Sequence, residues 1–173
     1  MPVPVFLQRA ALALAAMLAP SAALAAPVAP TTLPTGRAAL LHPLELIKQA
    51  DLDFGYVGAV GAGTIVIDPN SGTTTATGGV LLLGGAPHPA WFTGAAQSSS
   101  VVVIRVPKQP ITITRVGGTE TMTVRDFTLE GLDKRAVAAR VKFDFRVGAS
   151  LVVPANQAEG LYSGTFDVTV QYP

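Results

Sequence analysis

Residues 160–172 read Gly-Leu-Tyr-Ser-Gly-Thr-Phe-Asp-Val-Thr-Val-Gln-Tyr, and their polarity alternates at every position after Leu161. Tyr162, Gly164, Phe166, Val168, Val170 and Tyr172 share one parity, while Ser163, Thr165, Asp167, Thr169 and Gln171 share the other. Side chains on a strand point alternately to its two faces, so this pattern predicts a half-buried strand. Chain ends generally fray unless they are tied into a sheet. A terminal strand with one apolar face therefore predicts a β fold that closes on its own C-terminus.

The rest of the chain carries the same punctuation. Val141, Phe143, Phe145 and Val147 alternate with Lys142, Asp144 and Arg146, again with period two. Asp68-Pro69-Asn70-Ser71-Gly72 separates two apolar and Thr-rich runs and predicts a hairpin turn, because Pro, Asn and Gly each suit a defined turn position. Short extended runs bounded by Gly, Pro, Ser or Asn recur over residues 90–93, 101–106, 111–115 and 119–129. Leu40 to Ala50 has some helical spacing, but Pro43 favours an extended strand. The count is about nine strands with at most one helical turn, near residues 132–137. Together these features predict an all-β, antiparallel sandwich of the immunoglobulin-like, pilin-like kind. The glycines of residues 58–63 read as a flexible connection between strands, and not as a phosphate loop, because no helix follows them.

The N-terminus divides the chain. Arg9, the apolar run from Ala10 to Leu18, the break at Pro20-Ser21 and the small residues Ala23 and Ala25 form the pattern of an export signal over residues 1–25. Pro20 interrupts the run well short of the roughly twenty residues a transmembrane helix needs. Residues 26–36, rich in Pro, Ala and Thr, read as a flexible segment. Residues 37–173 remain for a single domain, with no membrane span expected in the mature chain. Export places the protein in the periplasm, at the cell surface or outside the cell.

The chain has twelve Lys and Arg against eleven Asp and Glu, and loss of Arg9 with the leader would balance them. The charges are scattered singly, which gives nucleic acid no electrostatic footprint. The chain contains no cysteine, so thiol chemistry, thiolate metal sites and disulfides are excluded, and the hydrophobic core must hold the fold by itself. A mature domain of roughly 150 residues can do so, burying about two thirds of its unfolded surface.

No catalytic, cofactor or metal constellation emerges. His42 and His88 each stand beside a proline with no partner at a fixed spacing. Asp51 and Asp53 match a solvated strand face as well as a cation site. Asp68 and Asn70 begin like a calcium loop but lack its closing glutamate. Ser98-Ser99-Ser100 has no nucleophile-elbow context. Trp91-Phe92, beside the Pro-rich residues 86–90, is the one aromatic pair that could contact a ligand, with core packing as the alternative.

Several segments, among them Leu52-Asp53-Phe54-Gly55, Gly63-Thr-Ile-Val-Ile-Asp-Pro69, Met122-Thr-Val-Arg-Asp-Phe127, Val147-Gly-Ala-Ser-Leu151 and Tyr162-Ser163-Gly164-Thr165-Phe166, resemble the bacterial family known as domain of unknown function 4402. The Leu-Asp-Phe-Gly and Tyr-Ser-Gly-Thr-Phe segments are also similar, more loosely, to spore coat protein U-like subunits of archaic chaperone-usher pili. That second resemblance implies an incomplete sandwich completed by a strand from a periplasmic chaperone or a like subunit. It also implies that Phe166, Val168, Val170 and Tyr172 border the assembly edge. Pro27, Pro30 and Pro34 depart from an ideal donor strand, since each removes a backbone donor. The expected function is a secreted, non-enzymatic structural or adhesive surface protein. The alternative is a self-complete module that binds carbohydrate or another small ligand.

Overall fold

The computed structural model describes residues 44–173. The expected leader, the segment 26–36 and His42 lie outside the described residues. Within them there are eleven strands and no helix. In chain order they are β1 (Leu44–Ala50), β2 (Val57–Ile67), β3 (Thr74–Leu82), β4 (Ala90–Ala96), β5 (Ser100–Arg105), β6 (Ile111–Arg115), β7 (Thr121–Leu129), β8 (Lys134–Val137), β9 (Lys142–Val153), β10 (Tyr162–Ser163) and β11 (Thr169–Gln171). Every pairing is antiparallel. The larger sheet runs β1-β4-β9-β7-β6-β10, with β2 joined to β9 and β3 joined to β2, and the smaller runs β11-β5-β8.

β9 organises the larger sheet because it is long enough to serve two partners along one side. Its first half pairs with β4 from Lys142 to Val147, and its second half pairs with β2 from Ser150 to Val153. β7 takes the opposite side across Val147 to Val152. The handover falls at Gly148, where a Cβ would sit 2.1 Å from the Ile67 carbonyl oxygen and 2.7 Å from Pro69 Cδ. Only a residue without a side chain lets the end of β2 approach that closely. The turn beyond β2 is the expected one. Asp68 N–H donates to the Thr73 carbonyl, Gly72 N–H donates to the Asp68 carbonyl, and the Asp68 carboxylate accepts the Asn70 N–H at 2.8 Å. That last bond holds the Asp68 carboxyl below its ordinary pKa.

The core lies between the sheets and along β9. Phe145 is fully buried, with its ring centroid 5.3 Å from Phe92 and 6.4 Å from Phe143. Ile104 of the smaller sheet closes this cluster from the other side, with Ala90 and Val147. A second cluster gathers Ile65, Val80, Val124, Leu151 and Val153 under the β2–β3 hairpin. Burying each of these large side chains contributes about 1.5–3 kcal/mol against the entropy of ordering the chain.

The structure corrects the sequence reading in four places. Residues 58–63 are not a flexible connection but part of β2, which pairs with β3 on both sides of an irregularity between Ala59 and Gly63. Glycine is needed there for close approach, since a Cβ on Gly79 would lie 2.6 Å from Gly61 Cα. The turn expected near residues 132–137 contains strand β8, which pairs with β5. Val141 is 54 % exposed and precedes β9, so the inward row begins at Phe143. The terminal segment, read as one strand, is two: β10 pairs with β6 in the larger sheet and β11 pairs with β5 in the smaller.

Candidate functional site

Residues 164–168 carry the chain from one sheet to the other and belong to no strand. The alternation survives the crossing. Phe166, Val168, Val170 and Tyr172 are half-buried, and Thr165, Asp167, Thr169 and Gln171 are exposed. Phe166, Val168 and Val170 pack against the cluster around Phe145, and Tyr172 joins Ala96, Val102 and Val137. Thus the stretch that leaves one sheet and enters the other packs its apolar side chains on the core. The Tyr172 hydroxyl is buried without a hydrogen-bond partner among the described residues.

β11 forms one edge of the smaller sheet. Its register with β5 runs Thr169 to Arg105, Val170 to Ile104 and Gln171 to Val103, and it pairs with no second strand among the described residues. An unpaired strand side presents a row of free N–H and C=O groups to whatever extended chain can reach it. Phe166 and Val168 precede this edge, Val170 lies in it and Tyr172 follows it.

Two open troughs flank the turn that follows β5. The larger, about 730 Å³, is lined by the apolar Ile104, Val106, Phe127 and Leu129 together with Arg105 and Arg125. The smaller, about 380 Å³, is lined in part by Phe166, Thr165, Asp167 and Thr169. Between Arg125 and Thr128, β7 changes register against β9, and Asp126 there adopts φ 52°. Left-handed backbone is uncommon for a residue with a side chain, and at a bulge it re-aims the strand. Nothing in the sequence pattern marked this trough, because the bulge at Asp126 is not encoded by a glycine.

At the other end of the crossing, Arg115 holds Glu120 through two hydrogen bonds, Nε to Oε2 at 2.7 Å and Nη2 to Oε1 at 3.0 Å. The guanidinium holds the Glu120 carboxyl down at about 2. The Tyr162 hydroxyl donates to the Ala158 carbonyl at 2.7 Å and accepts from Gln157 Nε2 at 2.6 Å, which ties the loop of residues 154–160 to β10.

Trp91 and Phe92, adjacent in sequence, face opposite ways on β4. Trp91 is 42 % exposed, whereas Phe92 is buried against Phe145. Phe92 therefore has no face to offer a ligand, and Trp91 stands alone at the surface opposite Ala50 and Arg146 on the neighbouring strands. Asp51 and Asp53 do not converge. Asp51 pairs with Lys48, and the Asp53 carboxylate accepts the Gly55 N–H at 2.8 Å. His88 exchanges backbone hydrogen bonds with Asp53, and its Nδ1 lies 3.2 Å from the Pro89 carbonyl oxygen. Ser99 Oγ accepts the Ala139 N–H, and Ser100 Oγ donates to the Ser98 carbonyl. Each of these polar side chains has a local structural partner.

Fold and edge together describe an all-β protein of two antiparallel sheets in which the C-terminus passes from one sheet to the other. The chain belongs to the DUF4402 family (Domain of unknown function), whose model matches residues 44–172. No curated protein and no solved structure matched the chain in the same comparisons.

Proposed function

We propose that this is an exported, non-enzymatic structural or adhesive surface protein whose copies assemble by adding a strand along β11. The observation that carries the reading is the one-sided pairing of Thr169–Gln171 above the half-buried row Phe166, Val168, Val170 and Tyr172. An added strand would satisfy the free backbone groups of β11 and cover the apolar row, so main-chain bonds would supply affinity and side-chain pockets selectivity. A periplasmic chaperone would occupy the same edge before assembly. The test is to purify the protein without partners and follow amide hydrogen exchange across residues 166–172. Fast exchange in the isolated chain, with strong protection in assemblies recovered from the cell surface, is the expected result. A stable, cooperatively unfolding monomer with these amides already protected would overturn it.

One observation favours a second reading, a self-complete module that binds carbohydrate. Trp91 lies on the outer face of β4, 42 % exposed. An exposed indole is a stacking surface for a sugar ring. Glycan-array binding abolished by Trp91→Ala would favour this reading, and the absence of any glycan signal would remove it.

A further inference from the structure

Between Asp68 and Arg105 the sequence contains no Lys, Arg, Asp or Glu, and between Asp53 and Asp68 it contains none either. These uncharged stretches include both strands of the β2–β3 hairpin, whose one charge is Asp68 in the turn. β3 pairs only with β2, so its nine residues, Thr74–Leu82, form an open edge of the larger sheet among the described residues. Natural edge strands are commonly guarded by charges, by proline or by a bulge that turns the edge away. β3 has neither charge nor proline; its irregularity with β2 takes up the extra residues on the β2 side, between Ala59 and Gly63, opposite Gly78 of β3 at φ 78°. The hairpin also exposes large apolar side chains: Tyr56 at 71 %, Val60 at 86 %, Leu81 at 54 % and Leu83 at 63 %.

We infer that β3 is a self-association edge, pairing antiparallel with β3 of a second copy about a two-fold axis. Three observations select a second copy over another occupant. An antiparallel strand pair is self-complementary, so one edge supplies both halves of an isologous contact. Neither strand of the hairpin has a charge for a charged partner to read, and two neutral edges meet without burying an unpaired ion. The exposed row Thr73, Thr75, Thr77 continues into Leu81 and Leu83. A two-fold axis at Gly79 sets Thr77 of one copy opposite Leu81 of the other, and Thr75 opposite Leu83. Threonine methyls then pack on leucines, as favourable cross-strand pairs do. This association is separate from strand addition at β11, which lies in the other sheet.

Sedimentation of the purified chain tests the inference. A reversible dimer with a dissociation constant on the order of 10 μM is expected, and Thr77→Lys or Leu81→Lys weakens it at least tenfold by setting an unpaired ammonium against the uncharged side chain it faces across the axis. Because the chain has no cysteine, a mixture of Thr77→Cys and Leu81→Cys proteins reports the register, cross-linking more readily than either variant alone. Both positions are exposed, so neither substitution perturbs the core. A wild-type protein that stays monomeric at about 100 μM overturns the inference. So does a dimer unaffected by both lysine substitutions but lost on Thr169→Lys, which would assign the contact to β11. A monomer that partitions onto phosphatidylcholine vesicles through Leu81 and Leu83 also overturns it, and makes the hairpin a lipid contact.

Discussion

The ring of Phe166 lies 5.1 Å from that of Phe127, tilted by 38°, and this contact joins the crossing stretch of the C-terminus to the bulge in β7. Residues 164–168 have no strand partner, so side-chain packing of this kind holds them in place. Phe166→Ala is expected to destabilise the protein by roughly 1.5–3 kcal/mol, the value of one large apolar side chain. A double-mutant cycle with Phe127→Ala should return a coupling of about 0.5–1.5 kcal/mol by denaturant unfolding. Additive effects would mean that the rings do not support one another. Hydrogen exchange of residues 169–171 should accelerate in Phe166→Ala, since the same contact anchors the approach to β11.

How much of this was legible in the sequence depends on whether the signal was local. The alternation around Phe143 and Phe145, and around Phe166 and Val170, correctly gave the buried row, because period two is a property of a strand by itself. It could not reveal that residues 160–172 divide between two sheets, since that depends on which strands lie alongside. β8 was missed because Lys134-Arg135-Ala136-Val137 has no apolar alternation, and its pairing with β5 is its reason for being extended. The glycines of β2 were read as a loop because glycine weakens a strand. Here they admit the backbone of β3, which only the folded chain can display. The half-buried row at the C-terminus is legible as alternation, whereas the trough beside Asp126 gives no sequence signal.

Gly148→Ala should be among the most damaging single substitutions. The new Cβ would meet the backbone oxygen of Ile67 at 2.1 Å, and a backbone atom cannot swing aside as a flexible side chain does. The strain falls where β9 passes from β4 to β2. A loss of about 3 kcal/mol or more is expected, at the upper end for overpacked cores. Soluble yield and the denaturation midpoint measure it. Gly94→Ala provides the comparison, because its Cβ would meet the Phe143 ring at 2.3 Å and a side chain can move. Phe143→Leu should partly rescue Gly94→Ala, but no side-chain change should rescue Gly148→Ala.

The Glu120 carboxyl, held at about 2 by Arg115, makes an acid-dependent contribution to stability. Its folded pKa lies below its unfolded value of about 4.3. The stabilisation is therefore present above the unfolded value and is lost as pH falls through the folded one. The window runs from about pH 5 down to about pH 2. Glu120→Gln should have a flatter stability curve across that window, converging with the wild type at its acid end. Carboxyl chemical shifts followed by NMR should place the Glu120 midpoint well below the ordinary glutamate value. The side chain is open to solvent, so added salt should raise that midpoint.

Arg135 serves a different purpose from Arg115, although both bear guanidinium groups. Its Nη2 donates to the Glu130 and Leu132 carbonyls, each at 2.6 Å, and its Nε donates to the Leu132 carbonyl at 2.9 Å. Its Cζ lies 6.0 Å from the centroid of the Phe145 ring. Partial burial pushes the guanidinium below its ordinary pKa, but it remains charged at any pH the fold survives. It thereby gathers the carbonyls of the turn that delivers β8 to β5. Arg135→Lys keeps the charge and loses the planar fork, so it separates geometry from electrostatics. A loss of about 1–3 kcal/mol is expected, typical of hydrogen bonds to a charged donor. Hydrogen exchange should rise first at residues 134–137. If Arg135→Lys matched the wild type in both measurements, charge alone would hold the turn, and the fork would have no structural role.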